Sequence, residues 1–296
     1  MLMTDRINNA FDENRDYSSI SPSAKSLLMM KGYTNIPYAR QMAAFIQGPE
    51  PFDLNFDDKD FGFWLRVMHF ESRYWSIDQL LKQTDNKNII ELSSGYSLRG
   101  LDMCNREAIH YIDTDLPEVI ATKQQMISNH LSGDSGKGKL ELVPLNAMDA
   151  AAFNSVVNRF TNGPVTIVNE GLLMYLDQEE KKQLCQTIHH LLKERGGCWI
   201  TADVYIKRSL EMQQAFPHTR GETAFFEQHN IENNKFDSYQ AAETFFKEQG
   251  FEIVKEATPN FKELSVLPHL SKTMPPELRN SKTPPPKIQA TWMLKV

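Results

Sequence analysis

Residues 88–97 read NIIELSSGYS, an apolar and β-branched run that passes directly into a turn of small residues. The run over 88–92 is typical of a buried strand, and the turn predicts a tight reversal into the helix that follows. Such a turn lets a ligand lie against backbone N–H groups and the positive end of the helix. Glu91, Ser93 and Gly95 are therefore candidate ligand-binding residues, although a Ser-Ser-Gly turn is also common without a ligand.

Outward from this strand, short apolar runs alternate with stretches of helical periodicity. The predicted strands cover residues 88–92, 110–114, 140–145, 165–169 and 198–204. Helices are predicted between them, near residues 117–131, 149–161 and 177–195. Alternation of this kind predicts βαβ crossovers, and hence an α/β fold with a parallel sheet covered by helices on both faces.

The two ends of the chain have a different pattern. Three helices are predicted before the sheet, over residues 23–31, 38–47 and 63–82. After a helix over 239–249, two strands over 251–255 and 289–295 follow each other with no helix predicted between them. The segment that joins them is rich in proline and includes the run PPP at 284–286, which predicts an extended loop.

Acidic residues follow the second and fourth predicted strands. Asp113 lies eighteen residues after Gly95, and Asp115 comes two residues later; a carboxylate about 20 residues beyond a glycine turn suits the hydroxyl groups of a ribose. Asp115 is equally suited to cap the helix that begins near Pro117. Glu170 ends the fourth strand, where either a functional or a surface carboxylate is possible. Together these residues favour a nucleoside ligand at the carboxyl ends of the strands.

Two nucleoside ligands compete for this site, a nicotinamide dinucleotide and S-adenosylmethionine. A dinucleotide requires close approach of a pyrophosphate, which glycines at three fixed offsets permit. Here Gly95 stands alone, and Ser93, Tyr96 and Leu98 crowd the corresponding turn. S-adenosylmethionine has no phosphate, so the missing glycines matter less. The two consecutive strands at the end of the chain also suit a methyltransferase sheet, and S-adenosyl-L-methionine is the predicted cofactor.

The composition argues against several other classes of protein. The net charge of −6, from 32 Lys plus Arg and 38 Asp plus Glu, disfavours a nucleic-acid partner. Cys104, Cys185 and Cys198 have no CxxC spacing, which disfavours a disulfide framework and a metal site. No apolar run approaches the ~20 residues that cross a bilayer, and the first residues carry no apolar signal segment. We expect a cytoplasmic enzyme with no metal and no membrane partner.

Three motifs occur in order along the chain: ELSSGYSLRG at 91–100, YIDTDLP at 111–117 and NEGLLMYL at 169–176. With ISPSA at 20–24 and IPYA at 36–39, they resemble the leucine carboxyl methyltransferase family, specifically its bacterial branch of O-methyltransferases of the polyketide-biosynthesis type. The resemblance covers roughly residues 15–205. It implies a class I methyltransferase, with a seven-stranded, mostly parallel, Rossmann-like sheet that ends in a reversed hairpin. It also implies an N-terminal helical lid over 1–84 and a core over 85–296, with an acceptor-binding insertion near 205–237.

The resemblance also implies roles for individual residues. Arg73, with Arg66 as the alternative alignment, corresponds to the arginine that contacts the donor's methionine carboxylate. Gly95 corresponds to the glycine under the donor, and Ser93 replaces the first glycine of that motif. Asp115, with Asp113 as its near alternative, corresponds to the ribose-binding acid.

Three further positions match the family pattern. Asn146 and Ala147 belong to the loop that contacts adenine, and Asn146 stands where an acid is usual. Glu170 corresponds to a glutamate near the donor's amino group, and Tyr175 to a tyrosine close behind it. Glu91 completes the candidate donor-binding set.

The implied reaction is methyl transfer to an oxygen of a small-molecule acceptor. A carboxylate is already ionised at pH 7 and needs only to be oriented, for which Arg73, Arg99 and Tyr175 are candidates. A hydroxyl acceptor requires a general base, and none of the three strand-end motifs contains a histidine. The sequence leaves open two alternatives: carboxyl methylation of a protein C-terminus, and S-adenosylmethionine binding without catalysis. It leaves the acceptor, the pathway and the oligomeric state unassigned.

Overall fold

The computed structural model describes residues 21–46, 49–130, 136–209, 218–258, 260–279 and 287–296. These residues build one seven-stranded sheet with helices on both faces. The strands, in chain order, are β1 Asn88–Leu92, β2 His110–Asp115, β3 Lys139–Pro144, β4 Val165–Asn169, β5 Gly197–Tyr205, β6 Glu252–Glu256 and β7 Gln289–Lys295. Their boundaries lie within two residues of the predicted ones.

The strands lie in the order β3-β2-β1-β4-β5-β7-β6. The first five are parallel, whereas β7 runs antiparallel to both β5 and β6. The chain therefore builds outward from β1 in one direction and then from β4 in the other. A parallel sheet opens a crevice at the carboxyl ends of its strands where its order reverses, here between β1 and β4. The predicted α/β sheet with a reversed terminal hairpin is confirmed.

The helices of the described residues fall into three groups. Before the sheet come α1 Ser21–Lys31, α2 Ala39–Phe45 and α3 Phe61–Leu81. The helices that connect the strands are α4 Arg99–Arg106, α5 Pro117–His130, α6 Ala150–Val157 and α7 Gln178–Arg195. After β5 come α8 Arg220–Gln228, α9 Ile231–Asn234, α10 Tyr239–Glu248, α11 Leu267–Thr273 and α12 Pro276–Arg279.

One sequence prediction about the end of the chain is wrong. The proline-rich segment between β6 and β7 is not only an extended loop, because α11 and α12 lie within it. Pro268 is in the first turn of α11, and Pro276 is the first residue of α12. Proline is tolerated at these positions because the first N–H groups of a helix have no intrahelical acceptor. The run at 284–286 lies outside the described residues.

The two faces of the sheet have separate apolar layers, as the two-residue period of a strand requires. On one face, Trp199 packs with Phe246 of α10 and with residues of α6 and α7. On the other face, Ile77 and Leu80 of α3 pack with Ile89 of β1 and with α4. The carboxyl-terminal half of α3 is therefore part of the sheet's own core, and its amino-terminal half extends beyond the ends of the strands.

We expect Trp199→Ala to lower the free energy of unfolding by about 3–5 kcal/mol, because it leaves a cavity in the larger apolar layer. The substitution also removes the hydrogen bond of 2.7 Å that the indole Nε1 donates to Asn169 Oδ1. Urea unfolding would measure the loss, with Phe261→Ala as the control, since Phe261 is 50% exposed. Equal stability of the two variants would contradict the assigned core.

Candidate active site

A cavity of about 1310 Å³ lies at the carboxyl ends of the parallel strands. It extends along the edge of the sheet from the loop after β3, at Asn146, to the beginning of β7, at Gln289. Its walls include α1, the amino-terminal half of α3, residues 257–258, and the segment 260–279 that contains α11 and α12. The topology places a ligand crevice at this edge, and the described residues enclose it there.

The small-residue turn after β1 forms the floor of the cavity. Ser93 and Gly95 both have positive φ, 50° and 56°. The left-handed region costs a non-glycine residue about 1–2 kcal/mol, so Ser93 holds a strained backbone at the site. A side chain at Gly95 would come within 3.5 Å of the Cβ of Ala24. Helix α1 therefore packs against the turn.

The structure separates the two candidate ribose-binding acids. Asp115 lines the cavity and accepts hydrogen bonds from the N–H groups of Gly95 and Leu116, both at 2.7 Å. Asp113 lies on the same face of β2, but it is fully buried and forms an ion pair of 2.6 Å with Lys123 of α5. It does not border the cavity within the described residues. Asp115 therefore borders the cavity, whereas Asp113 anchors α5 to the sheet.

Glu91 does not face the cavity formed by the described chain. Its carboxylate is completely buried beside α4 and accepts a hydrogen bond of 2.7 Å from the hydroxyl of Tyr111. Its other oxygen lies 3.4 Å from Nε of Arg99. The two-residue period of β1 directs residue 91 to the face that carries Ile89. The structure therefore assigns Glu91 to positioning Arg99, not to contact with a ligand.

Glu170, directly after β4, is surrounded by three cations. Its Oε1 accepts from Nζ of Lys31 at 2.5 Å and from Nε of Arg73 at 3.1 Å, and its Oε2 accepts from Nη2 of Arg99 at 3.1 Å. Burial by itself would raise the pKa of Glu170, but the three positive charges outweigh it and lower the pKa to about 2. Through these ion pairs the carboxylate links α1, α3 and α4 to the end of β4.

Arg99 is an unsuitable candidate for orienting an acceptor. Its guanidinium is fully buried and does not line the cavity. It donates to the backbone carbonyl of Tyr74 at 3.1 Å and to the carboxylate of Asp78, in addition to Glu91 and Glu170. Its donors already have partners in the interior, so the geometry assigns it to the framework beneath the site.

Arg73 has one donor that the described residues leave without an acceptor. Its Nε donates to Glu170, and its Nη1 donates to the hydroxyl of Tyr205 at 2.8 Å. Its Nη2 is buried and has no hydrogen-bond partner. The whole residue is 2% exposed and lines the cavity. An unpaired buried guanidinium N–H is costly, and a carboxylate is its natural partner. Arg66, the alternative alignment, instead forms an ion pair of 3.0 Å with Glu222.

The remaining candidates lie at the two sides of the cavity. Asn146 is exposed and accepts a hydrogen bond from the N–H of Met148, and Ala147 next to it is buried against the cavity. Tyr175 lines the cavity and packs edge-on against Phe225 of α8. Burial raises the pKa of Tyr175 to about 12, so its phenol stays protonated at neutral pH.

The insertion near 205–237 contributes to both the core and the cavity. Phe225 is buried against Phe52, with ring centroids 4.8 Å apart, whereas Phe226 lines the cavity. Phe216, in the same insertion, lies outside the described residues.

Sequence reasoning assigned no binding role to four residues that shape the site: Lys31, Asp203, His69 and Tyr205. Asp203, in β5, accepts hydrogen bonds from the side chain of Asn169 and from the N–H groups of residues 171–173. It thereby fixes the loop that carries Glu170. An acid within an otherwise apolar strand was a usable signal for Asp203, the same signal that identified Glu170.

His69 and Tyr205 form a polar pair in the cavity wall. Nε2 of His69 lies 2.8 Å from the hydroxyl oxygen of Tyr205, and both residues line the cavity. Burial, with the nearby charges of Arg73 and Lys235, lowers the pKa of His69 to about 3. Burial raises the pKa of Tyr205 to about 12. At neutral pH the pair is therefore uncharged.

Three further features of the described residues concern metal binding, the cysteine thiols and membrane-spanning helices. No cluster of His, Cys, Asp and Glu side chains among them could hold a metal ion. Cys104, Cys185 and Cys198 are buried free thiols, away from the cavity lining. No described helix is long and apolar enough to span a bilayer.

We expect Glu170→Gln to lower the free energy of unfolding by about 3 kcal/mol at pH 7, since the pKa of Glu170 falls from 4.5 to about 2 on folding. This contribution is complete above pH 4.5 and is lost as the pH falls through about 2. The difference between wild type and variant should therefore shrink below pH 4.5. Urea unfolding at several pH values measures it, and the exposed Glu179→Gln, paired with Lys182, should change stability by less than about 0.5 kcal/mol. A pH-independent difference would contradict the assignment.

Comparison with known proteins agrees with this geometry. A family model described as Leucine carboxyl methyltransferase matches residues 22–189. The chain is similar to the structure of a DUF574 family protein from Streptomyces avermitilis, with 12% identity over 92% of this chain and 96% of that chain and a TM-score of 0.54. It is also similar to magnesium protoporphyrin IX methyltransferase from Synechocystis PCC 6803 with bound S-adenosylmethionine, with 10% identity over 97% and 100% of the two chains and a TM-score of 0.48. No protein with a curated description matches the sequence.

The family match covers more than half of the chain and contains Arg73, the turn at Gly95, Asp115 and Glu170. The sheet order, with its antiparallel β7, is that of the class I methyltransferases. The methyl donor is S-adenosylmethionine, which the family uses, and the unpaired Nη2 of Arg73 fits the donor's carboxylate. The chain belongs to the leucine carboxyl methyltransferase family of S-adenosylmethionine-dependent methyltransferases.

Proposed function

We propose that this protein is an O-methyltransferase that transfers a methyl group to an oxygen of a small-molecule acceptor. The observation that carries the proposal is the buried, unpartnered Nη2 of Arg73, which lies in the same cavity as Gly95 and Asp115. These residues mark where the carboxylate and the ribose of the donor bind. The rest of the cavity is available to a second molecule.

The donor occupies the half of the cavity above β1 to β4. Asp115 receives the ribose hydroxyl groups, and the loop of Asn146 and Ala147 borders the adenine. Arg73 binds the carboxylate through Nη2. Glu170 already accepts from three cations, so it acts on the donor indirectly, by holding the side chains of Arg73 and Lys31 in place.

The size and lining of the cavity support a small, largely apolar acceptor. Its volume of about 1310 Å³ exceeds the ~300–1,000 Å³ of a site for one drug-sized molecule. The half beside β5 and β7 is lined by apolar side chains from α3, α8, α11 and α12 and from Met274, which follows α11. These side chains are Leu65, Met68, Phe226, Leu270, Met274 and Leu278.

The chain's contribution to the reaction is to position the reactants and exclude water. S-adenosylmethionine, when bound, supplies an electrophilic methyl group on a sulfonium. In-line transfer requires the acceptor oxygen to be held in contact with that methyl group, and rigid side chains such as Arg73 provide this alignment. Helix α1 packs against the turn at Gly95 and covers part of the cavity, which helps to exclude water from the bound donor. A carboxylate acceptor needs no base at pH 7, because it is already ionised.

We expect Arg73→Lys to weaken binding of S-adenosylmethionine and S-adenosylhomocysteine about 10- to 100-fold, since the lysine keeps the charge but loses the Nη2 hydrogen bond to the donor carboxylate. Isothermal titration calorimetry measures both affinities. Arg66→Lys, two helical turns away in the acceptor half, is the matched control and should leave them unchanged. Donor affinity equal to that of the wild type in Arg73→Lys would refute the role of Arg73.

We expect the protein to transfer radioactive methyl groups from labelled S-adenosylmethionine to a low-molecular-mass product in a metabolite extract. Label that is released by mild base identifies a carboxylate acceptor, and label that resists base identifies a hydroxyl acceptor. Label that appears only in protein, in a whole lysate, would replace the small-molecule acceptor with a protein C-terminus. Donor binding without any transfer would refute the enzymatic proposal.

A further inference from the structure

We propose that His69 binds the acceptor: its Nδ1–H donates a hydrogen bond to the oxygen that receives the methyl group, and this oxygen is an oxyanion when it binds. The inference rests on the proposed function and deepens it. It assigns a residue to the acceptor half of the cavity, and it names ionised oxygens, rather than neutral hydroxyl groups, as the class of acceptor.

The hydrogen bonds around Tyr205 determine which nitrogen of His69 carries the proton. The guanidinium of Arg73 can only donate, so the hydroxyl oxygen of Tyr205 accepts from Nη1 at 2.8 Å. The hydroxyl hydrogen of Tyr205 then needs an acceptor, and Nε2 of His69, at 2.8 Å, is the one that the described residues provide. Nε2 is therefore the unprotonated nitrogen, and a neutral ring carries its hydrogen on Nδ1.

The charges around His69 keep the ring neutral. Arg73 faces it from the same helix, Lys235 from the segment after α9, Glu170 from the end of β4, and Tyr205 from β5. Burial and the two cations oppose a further positive charge, and they outweigh the attraction of Glu170. With a pKa of about 3, the ring takes up no proton in the physiological range. Such an imidazole is a weak base, so the function that remains to it is to donate a hydrogen bond from Nδ1.

The position of His69 places it beside the reacting atoms. His69 and Arg73 are four residues apart on α3, so their side chains lie on the same face, one turn from each other. Arg73 is held above the end of β4 by Glu170, and Tyr205 ends β5, the next strand in the sheet. His69 therefore lies one helical turn from the arginine that we propose binds the donor's carboxylate, in the wall of the same cavity.

A neutral N–H donor suits the chemistry of an oxyanion. The acceptor oxygen uses a lone pair to form the new bond to the methyl carbon as the methyl–sulfur bond breaks and its electron pair stays on sulfur. No proton is transferred in this step, so no base is required. One N–H group on a second lone pair of the oxygen orients it and leaves the attacking lone pair free.

The test is nitrogen-15 NMR of the histidine side chains in the full-length protein saturated with S-adenosylhomocysteine, with His69→Gln used to assign the signals. We expect the neutral Nδ1–H tautomer of His69 at every pH from 5.5 to 9. An Nε2–H tautomer, or a ring that titrates in this range, would overturn the proposal. Tyr205→Phe removes the hydroxyl group that donates to Nε2, so we expect a mixture of the two tautomers of His69. An unchanged tautomer would contradict the assigned hydrogen bond from Tyr205 to Nε2.

A pair of probes tests the acceptor class on the same sample. Benzoate, an oxyanion, should shift the Nδ1 signal of His69, and benzyl alcohol, its neutral analogue, should leave it in place. A shift with both or with neither would overturn the proposal. If the wild type itself failed to bind S-adenosylhomocysteine, the proposed function would fail instead, and the tautomer measured without ligand would still report on His69.

Discussion

The carboxylate of Glu170 is the point on which the site depends. It is buried and accepts from Lys31, Arg73 and Arg99, which come from three different helices. Removing several charged groups from water costs free energy. Their mutual attraction offsets this desolvation cost only when the geometry of the ion pairs is good. Any displacement of α1, α3 or α4 would leave an uncompensated charge in the interior, so this one carboxylate restricts all three helices.

The side chains packed beneath Glu170 offset the cost of burying these charged groups. Arg99 stacks on the ring of Tyr74, with its Cζ 3.8 Å from the ring centroid, and distributes its N–H groups over Asp78, Glu91 and Glu170. Asp203 satisfies the backbone of the loop that follows Glu170. Buried polar groups are normally paired in this way. Nη2 of Arg73 is one of a few buried polar atoms of the described residues that lack such a partner, and the proposed donor carboxylate would supply it.

The same arrangement divides the cavity into two halves with different chemistry. From β1 to β4 the wall presents polar groups at set positions, among them Asp115 and the N–H groups of the glycine turn. Beyond Tyr205 the wall is mostly apolar and comes from α3, the insertion after β5 and the segment between β6 and β7. The proposed donor half is built mainly on strand ends, which the sheet holds rigidly. The proposed acceptor half is built largely on connecting segments, which can differ between relatives without disturbing the sheet.

The sequence by itself determined the strands, their alternation with helices and the residues at the strand ends, because periodicity and turn chemistry act between near neighbours. The residues 88–92, 165–169 and 289–295 are strands as predicted. Sequence could not separate Asp113 from Asp115, since both lie on the same face of one strand and only the packing of Lys123 covers the first. Nor could it find Lys31 or His69, whose partners Glu170 and Tyr205 are 139 and 136 residues away. Only the tertiary structure decided those pairings, because the sequence around a polar side chain on a helix face does not indicate which distant group folding brings to it.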